Sequence, residues 1–155
     1  MKLSEFIVPE AIVPALQSTE RDGVLRELVA SLADAGALPQ EAIDEVLAAI
    51  IKREQNGSTG FGKGVAVPHV KHPKVKKMAG TIGRSEAGID FAALDHQPVY
   101  SVVLLLSPEN QPQQHPQAMN IIFSNLQKDM FRRFLRQSTT RQAIQELLEE
   151  ADQGK

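Results

Sequence analysis

Between Asn56 and His69 the chain gathers four glycines, two hydroxyls and one imidazole, the grouping best equipped for chemistry. In Gly57-Ser58-Thr59-Gly60-Phe61-Gly62-Lys63-Gly64 the missing Cβ atoms permit tight turns and let backbone N–H groups approach an anion. A short apolar run, Val65-Ala66-Val67, then leads through Pro68 to His69. A neutral imidazole is a competent nucleophile near pH 7, because its ordinary pKa lies just below. A histidine beside an anion-cradling loop points to phosphate chemistry at the histidine itself. The plainer alternative is a glycine-rich turn that joins helix to strand and holds no ligand. Ser58 and Thr59, with Gly60, read either as the phosphate side of that loop or as turn-stabilising groups.

Nucleotide chemistry fits poorly. Gly57 to Lys63 satisfies seven positions of a phosphate-binding P-loop, but Gly64 stands where a serine or threonine must hold magnesium. A P-loop also flows into a helix, whereas Val65, Val67 and Pro68 resist one. The dinucleotide pattern fails at Val65, so no cofactor is expected. His69 and His72 lack the helical spacing of a metal pair, and no His-Glu-x-x-His occurs. His72, with Lys71, Lys74, Lys76 and Lys77, reads as a solvated basic patch, and His96 as a turn residue without a role. His115 precedes Pro116, which is expected to open a helix, so it sits at the N-cap or just before it. That end offers free N–H groups and the positive pole of the helix dipole, worth about 0.3–2 kcal/mol. Opposite His69 it could donate a hydrogen bond to a phosphoryl oxygen; otherwise it is an exposed cap.

The elements that must position these groups follow from periodicity. With 155 residues, 42% hydrophobic and 23% charged, the chain fits one α/β domain over residues 1–155, a mixed parallel and antiparallel sheet flanked by helices. A net charge of −2 and a pI of about 6.1 argue against a nucleic-acid binder. The absence of cysteine excludes disulfides and thiol nucleophiles. No apolar run reaches membrane-span length, and the start lacks a signal-peptide core, so a cytoplasmic protein is expected. Helices are predicted from Ser18 or Thr19 to Ala35, from Pro39 through Ile51, and from Pro116 through Leu126. A short one follows near Asp129 to Arg136, and a last one is capped by Thr139. Strands are predicted at Val65–Val67, Met78–Gly83, Ile89–Phe91 and Val99–Leu106, the last apolar enough to be central.

With these residues in place, the chain resembles the enzyme IIA domains of the bacterial phosphoenolpyruvate-dependent phosphotransferase system. The type is mannitol/fructose, which includes the nitrogen-regulatory IIA proteins. The resemblance rests on Arg53-Glu54, Ser58-Thr59-Gly60, Gly62, Gly64, Ala66 and Pro68-His69. It continues through Gly88-Ile89-Asp90-Phe91, Asp95, Pro98-Val99, Pro108 and His115. It implies that His69 accepts a phosphoryl group from the carrier HPr or its nitrogen-branch counterpart. His115 would be the second active-site histidine, and Arg53 an arginine close to the site. With no cysteine of the kind a IIB domain uses, phosphate would pass to a separate IIB chain, or the protein would act on a regulated target. The lean is toward nitrogen regulation; the alternative is a docking module that transfers nothing. Two residues depart from the family's pattern. Pro116 replaces a leucine, removing one helix-start N–H, and His96 replaces a glycine.

Overall fold

The computed structural model describes residues 1–154. Four strands organise them: β1 (Val65–Ala66), β2 (His69–His72), β3 (Ala79–Ile89) and β4 (Val99–Pro108). β4 is central, with Val102 to Leu106 almost fully buried, because strands lie on both of its edges and helices on both of its faces. β1 and β2 both pair with it in parallel, Val65 opposite Ser101 and His69 opposite Leu105. The offset is the same, so the two are one line of strand interrupted at Val67-Pro68, where proline has no N–H to give the ladder. The Leu105 N–H donates to the Pro68 carbonyl at 3.0 Å and carries the register across the gap. β3 runs antiparallel along the other side of β4, with a register shift between Arg84 and Ile89.

The outer edge of β3 is covered by the irregular N-terminal segment. Gly80 donates to the Phe6 carbonyl and Val8 donates back to Gly80, both at 2.8 Å, and Arg84 donates to Val13 at 2.9 Å. An edge filled in this way offers no template for another chain. Val102, Leu104 and Leu106 face α1 (Arg21–Asp34) and α2 (Ile43–Gln55). Val103 and Leu105 face α3 (Gln114–Leu126), α4 (Asp129–Gln137) and α5 (Arg141–Asp152). The alternation of strand side chains thus divides one apolar run between two cores. α1 ends in a Schellman motif: Gly36, at φ +82°, donates to Ala33, and Ala37 donates to Leu32.

Several boundaries differ from the periodicity. The predicted strands at Met78–Gly83 and Ile89–Phe91 are a single β3, bent by its irregularity rather than ended. α3 begins at Gln114, two residues before Pro116. The cap of α5 is Thr140 rather than Thr139; its Oγ1 accepts from the Ala143 N–H at 3.0 Å. The strand expected to finish before His69 resumes there, and this change reshapes the site.

Candidate active site

His69 stands at the first residue of β2, immediately after the proline gap. Its register partner Leu105 points into the core beneath α3, so the imidazole emerges on that same face. Its Nδ1 lies 2.8 Å from the Val67 carbonyl oxygen. A carbonyl can only accept, so Nδ1 carries the proton and Nε2 keeps the lone pair. Burial lowers the pKa of His69, opposed by the Val67 bond and Glu54 and assisted by the charges of Arg53 and Lys71. The ring is therefore neutral at pH 7.

His115 comes to it from α3. Its ring centroid is 5.3 Å from that of His69, with the planes tilted by 47°. It occupies the second helical residue rather than the cap, is buried, and has Nδ1 at 2.7 Å from the Ser107 hydroxyl. Burial, then the charges of His69 and Lys71, lower its pKa to about 4. Pro116 is the third residue of the helix, where the N–H has no intrahelical acceptor, so the proline removes no helical bond.

Arg53 ends α2 beside the glycine loop and donates from Nη1 to the Gly57 carbonyl at 2.7 Å. The loop hydroxyls are engaged internally. Ser58 donates to the Phe91 carbonyl at 3.0 Å and accepts from the Gly60 N–H at 2.9 Å. Thr59 donates both its hydroxyl and, at 3.1 Å, its N–H to the Glu54 carboxylate. These bonds fix the shape of the loop between α2 and β1. Gly60 packs so tightly that a Cβ would sit 3.0 Å from Ala93, and Gly62 and Gly64 hold φ of +112° and +78°. Phe61 meets Phe123 of α3 edge to face at 5.1 Å, tying the loop to the helix that carries His115.

Two residues of this site escaped the sequence reading. Glu54, 3% exposed, is the acceptor around which the loop folds; the sequence marked it only as the neighbour of Arg53. Lys71 is exposed, as a solvated lysine should be, and strand alternation adds that it lies on the face of His69, paired with Ser107. His72 and Lys74 turn instead toward Glu45 of α2, at 3.9 and 2.9 Å. A period of two carried past Pro68 would have separated them. His96 lies apart in the turn before β4 and adopts φ +60°, the left-handed conformation that suits glycine. A groove of about 960 Å³ between β4 and α4, lined by Lys63, Arg132, Arg133 and Arg136, contains neither His69 nor His115. Among the described residues no group of three or more His, Asp or Glu could hold a metal ion.

The family described as "Phosphoenolpyruvate-dependent sugar phosphotransferase system, EIIA 2" matches residues 5–151. The chain belongs to this family. An enzyme IIA protein of this kind has relatives of two descriptions. The nitrogen regulatory protein of Bradyrhizobium diazoefficiens is 38% identical over 148 residues, covering 96% of this chain and 95% of that protein. The fructose-specific EIIABC component of Bacillus subtilis is 32% identical over 98% of this chain, but the match spans 24% of its length. The crystal structure of the nitrogen regulatory protein IIA-Ntr from Neisseria meningitidis superposes with a TM-score of 0.84 at 26% identity, covering 94% of this chain and 98% of that one. IIA mannitol from Escherichia coli shares the α/β fold at a TM-score of 0.75 and 20% identity. No described helix of this enzyme IIA chain is long and apolar enough to cross a membrane.

Proposed function

We propose that His69 carries a phosphoryl group, received from an HPr-type phosphohistidine donor or its nitrogen-branch counterpart. The observation that carries this reading is the pairing of His69, its Nε2 lone pair free, with His115 at a centroid distance of 5.3 Å. In the step, the Nε2 lone pair of His69 attacks phosphorus in line with the donor's N–P bond. An Nε2–P bond forms, the donor bond breaks, and its electron pair returns to the donor ring. The Nδ1 proton stays on His69, held by the Val67 carbonyl. Arg53, Lys71 and His115 surround the arriving charge, so catalysis rests on positioning and electrostatic stabilisation. Neither nucleotide nor magnesium enters the step.

Phosphorylation would add up to about two negative charges to a face that carries Arg53 and Lys71, altering its fit to any docked protein. The onward partner is a separate IIB domain or a regulated protein in the cytoplasm. The higher identity to a nitrogen regulatory protein, 38% against 32% for a fructose EIIABC component, supports the regulatory role. Incubation with phosphoenolpyruvate, enzyme I and HPr should give one acid-labile, base-stable phosphoryl group, lost in His69→Ala. Absence of label, or label that persists in His69→Ala, rejects the proposal.

A further inference from the structure

Ser107 belongs to β4 and follows Leu105 on the face beneath α3; it is fully buried, at 0% exposure. Its Oγ meets Nδ1 of His115 at 2.7 Å, and no other hydrogen bond of that hydroxyl occurs among the described residues. A hydroxyl has one hydrogen and two lone pairs, while a neutral imidazole has one N–H and one lone pair. Two arrangements are therefore available. If Nδ1–H donated to Oγ, the serine hydrogen would be left in a buried corner without an acceptor, at the full cost of desolvating a donor. If the hydroxyl donates to Nδ1, the serine hydrogen is satisfied, and the imidazole proton sits on Nε2, away from Ser107.

We infer that Ser107 is a positioning residue that locks His115 in the tautomer with its proton on Nε2, making it a hydrogen-bond donor toward the group carried by His69. The two rings are then held in opposite tautomers by different partners. The Val67 carbonyl leaves His69 a lone pair on Nε2, and the Ser107 hydroxyl leaves His115 an N–H there. One ring is set to attack and the other to bind the oxygens of what arrives. With its pKa near 4, His115 is neutral at pH 7, so the tautomer rather than the charge decides whether it donates. The consequence for transfer rests on the phosphoryl-carrier reading above; the tautomer assignment does not.

The test is ¹⁵N NMR of the imidazoles in the unphosphorylated protein at pH 7, together with the rate of phosphoryl transfer. The parent should show His115 with Nε2 protonated and Nδ1 bare, the other tautomer being about tenfold or more rarer. Ser107→Ala should raise the minor tautomer and slow transfer severalfold, and Ser107→Thr should restore both. A parent His115 protonated on Nδ1 overturns the inference, as does a Ser107→Ala variant whose tautomer ratio and transfer rate are unchanged. Slower transfer in Ser107→Ala with the parent tautomer ratio retained also overturns it, since the serine would then act by packing alone. No phosphoryl label on any variant, with the expected tautomers in place, refutes the carrier reading and upholds the assignment of the ring.

Discussion

Mildly acidic solution should destabilise this protein through His115 before its carboxylates matter. The imidazole titrates near 6.5 in an unfolded chain and is lowered to about 4 in the folded one by burial and by the charges of His69 and Lys71. Above pH 6.5 both states leave the ring neutral, and it makes no pH-dependent contribution. Below that value the unfolded chain binds a proton that the folded chain refuses, so stability falls until the folded ring also protonates near pH 4. At about 1.36 kcal/mol per pH unit, the full loss across this window is about 3 kcal/mol, of which about 2 kcal/mol has gone by pH 5. His69, also lowered, acts in the same direction. Urea unfolding followed by circular dichroism at pH 7.5 and pH 5.0 measures the loss in the parent and in His115→Gln. The glutamine carbonyl can accept from Ser107 but does not titrate. The parent should lose about 2 kcal/mol more than His115→Gln between the two pH values. Equal losses would show that His115 protonates freely in the folded protein and that its burial is not felt as argued here.

Removal of the Glu54 carboxylate leaves the Thr59 N–H and hydroxyl unpaired within the loop. Glu54→Ala should cost about 2–4 kcal/mol in urea unfolding and speed amide exchange at Thr59, and a loss under about 0.5 kcal/mol contradicts the role of that acid. His96 holds φ +60° without being glycine, so His96→Gly should stabilise by up to about 1 kcal/mol; a destabilised variant would show that the turn carries no backbone strain. At Gly62, φ +112° and a Cβ position 3.3 Å from Asp95 Oδ2 work together. Gly62→Ala should lower stability by about 1–2 kcal/mol, read from the same unfolding curves, and an unchanged midpoint counts against the strain argument. Phe61→Ala removes the edge-to-face contact with Phe123 and should cost about 1–3 kcal/mol, with faster exchange through residues 57–62. Exchange unchanged in that segment would mean that α3 does not hold the loop.

The parts readable from the chain are those whose information is local. Glycine at positive φ, a proline before a histidine and an apolar run of strand length each report the conformation of their own few residues. They gave the loop, His69 and the central strand. The errors came where a neighbour decided the outcome. Pro68 resembles the end of a strand because it cannot donate to a ladder, yet β4 supplies the matching N–H of Leu105 and the strand restarts at His69. That restart moves Lys71 to the face of the two imidazoles and sends His72 and Lys74 to the other. Ser107 ends an apolar run without any mark of its partner, and Glu54 resembles any acid late in an amphipathic helix. Pro116 favours an early helical position and so suggests His115 at the N-cap or just before it, but the first-turn N–H groups need no acceptor, so α3 starts at Gln114.

By itself the sequence determined an α/β fold of mixed sheet and helices, a glycine-rich loop, and a histidine delivered by a buried strand. Those follow from side-chain period and from backbone freedom, which each residue carries wherever it is placed. Only the tertiary structure decided that His115 meets His69 and that Glu54 holds the loop. It also decided that Ser107 and Val67 bond one nitrogen of each imidazole, because hydrogen-bond partners far apart along the chain are chosen by packing.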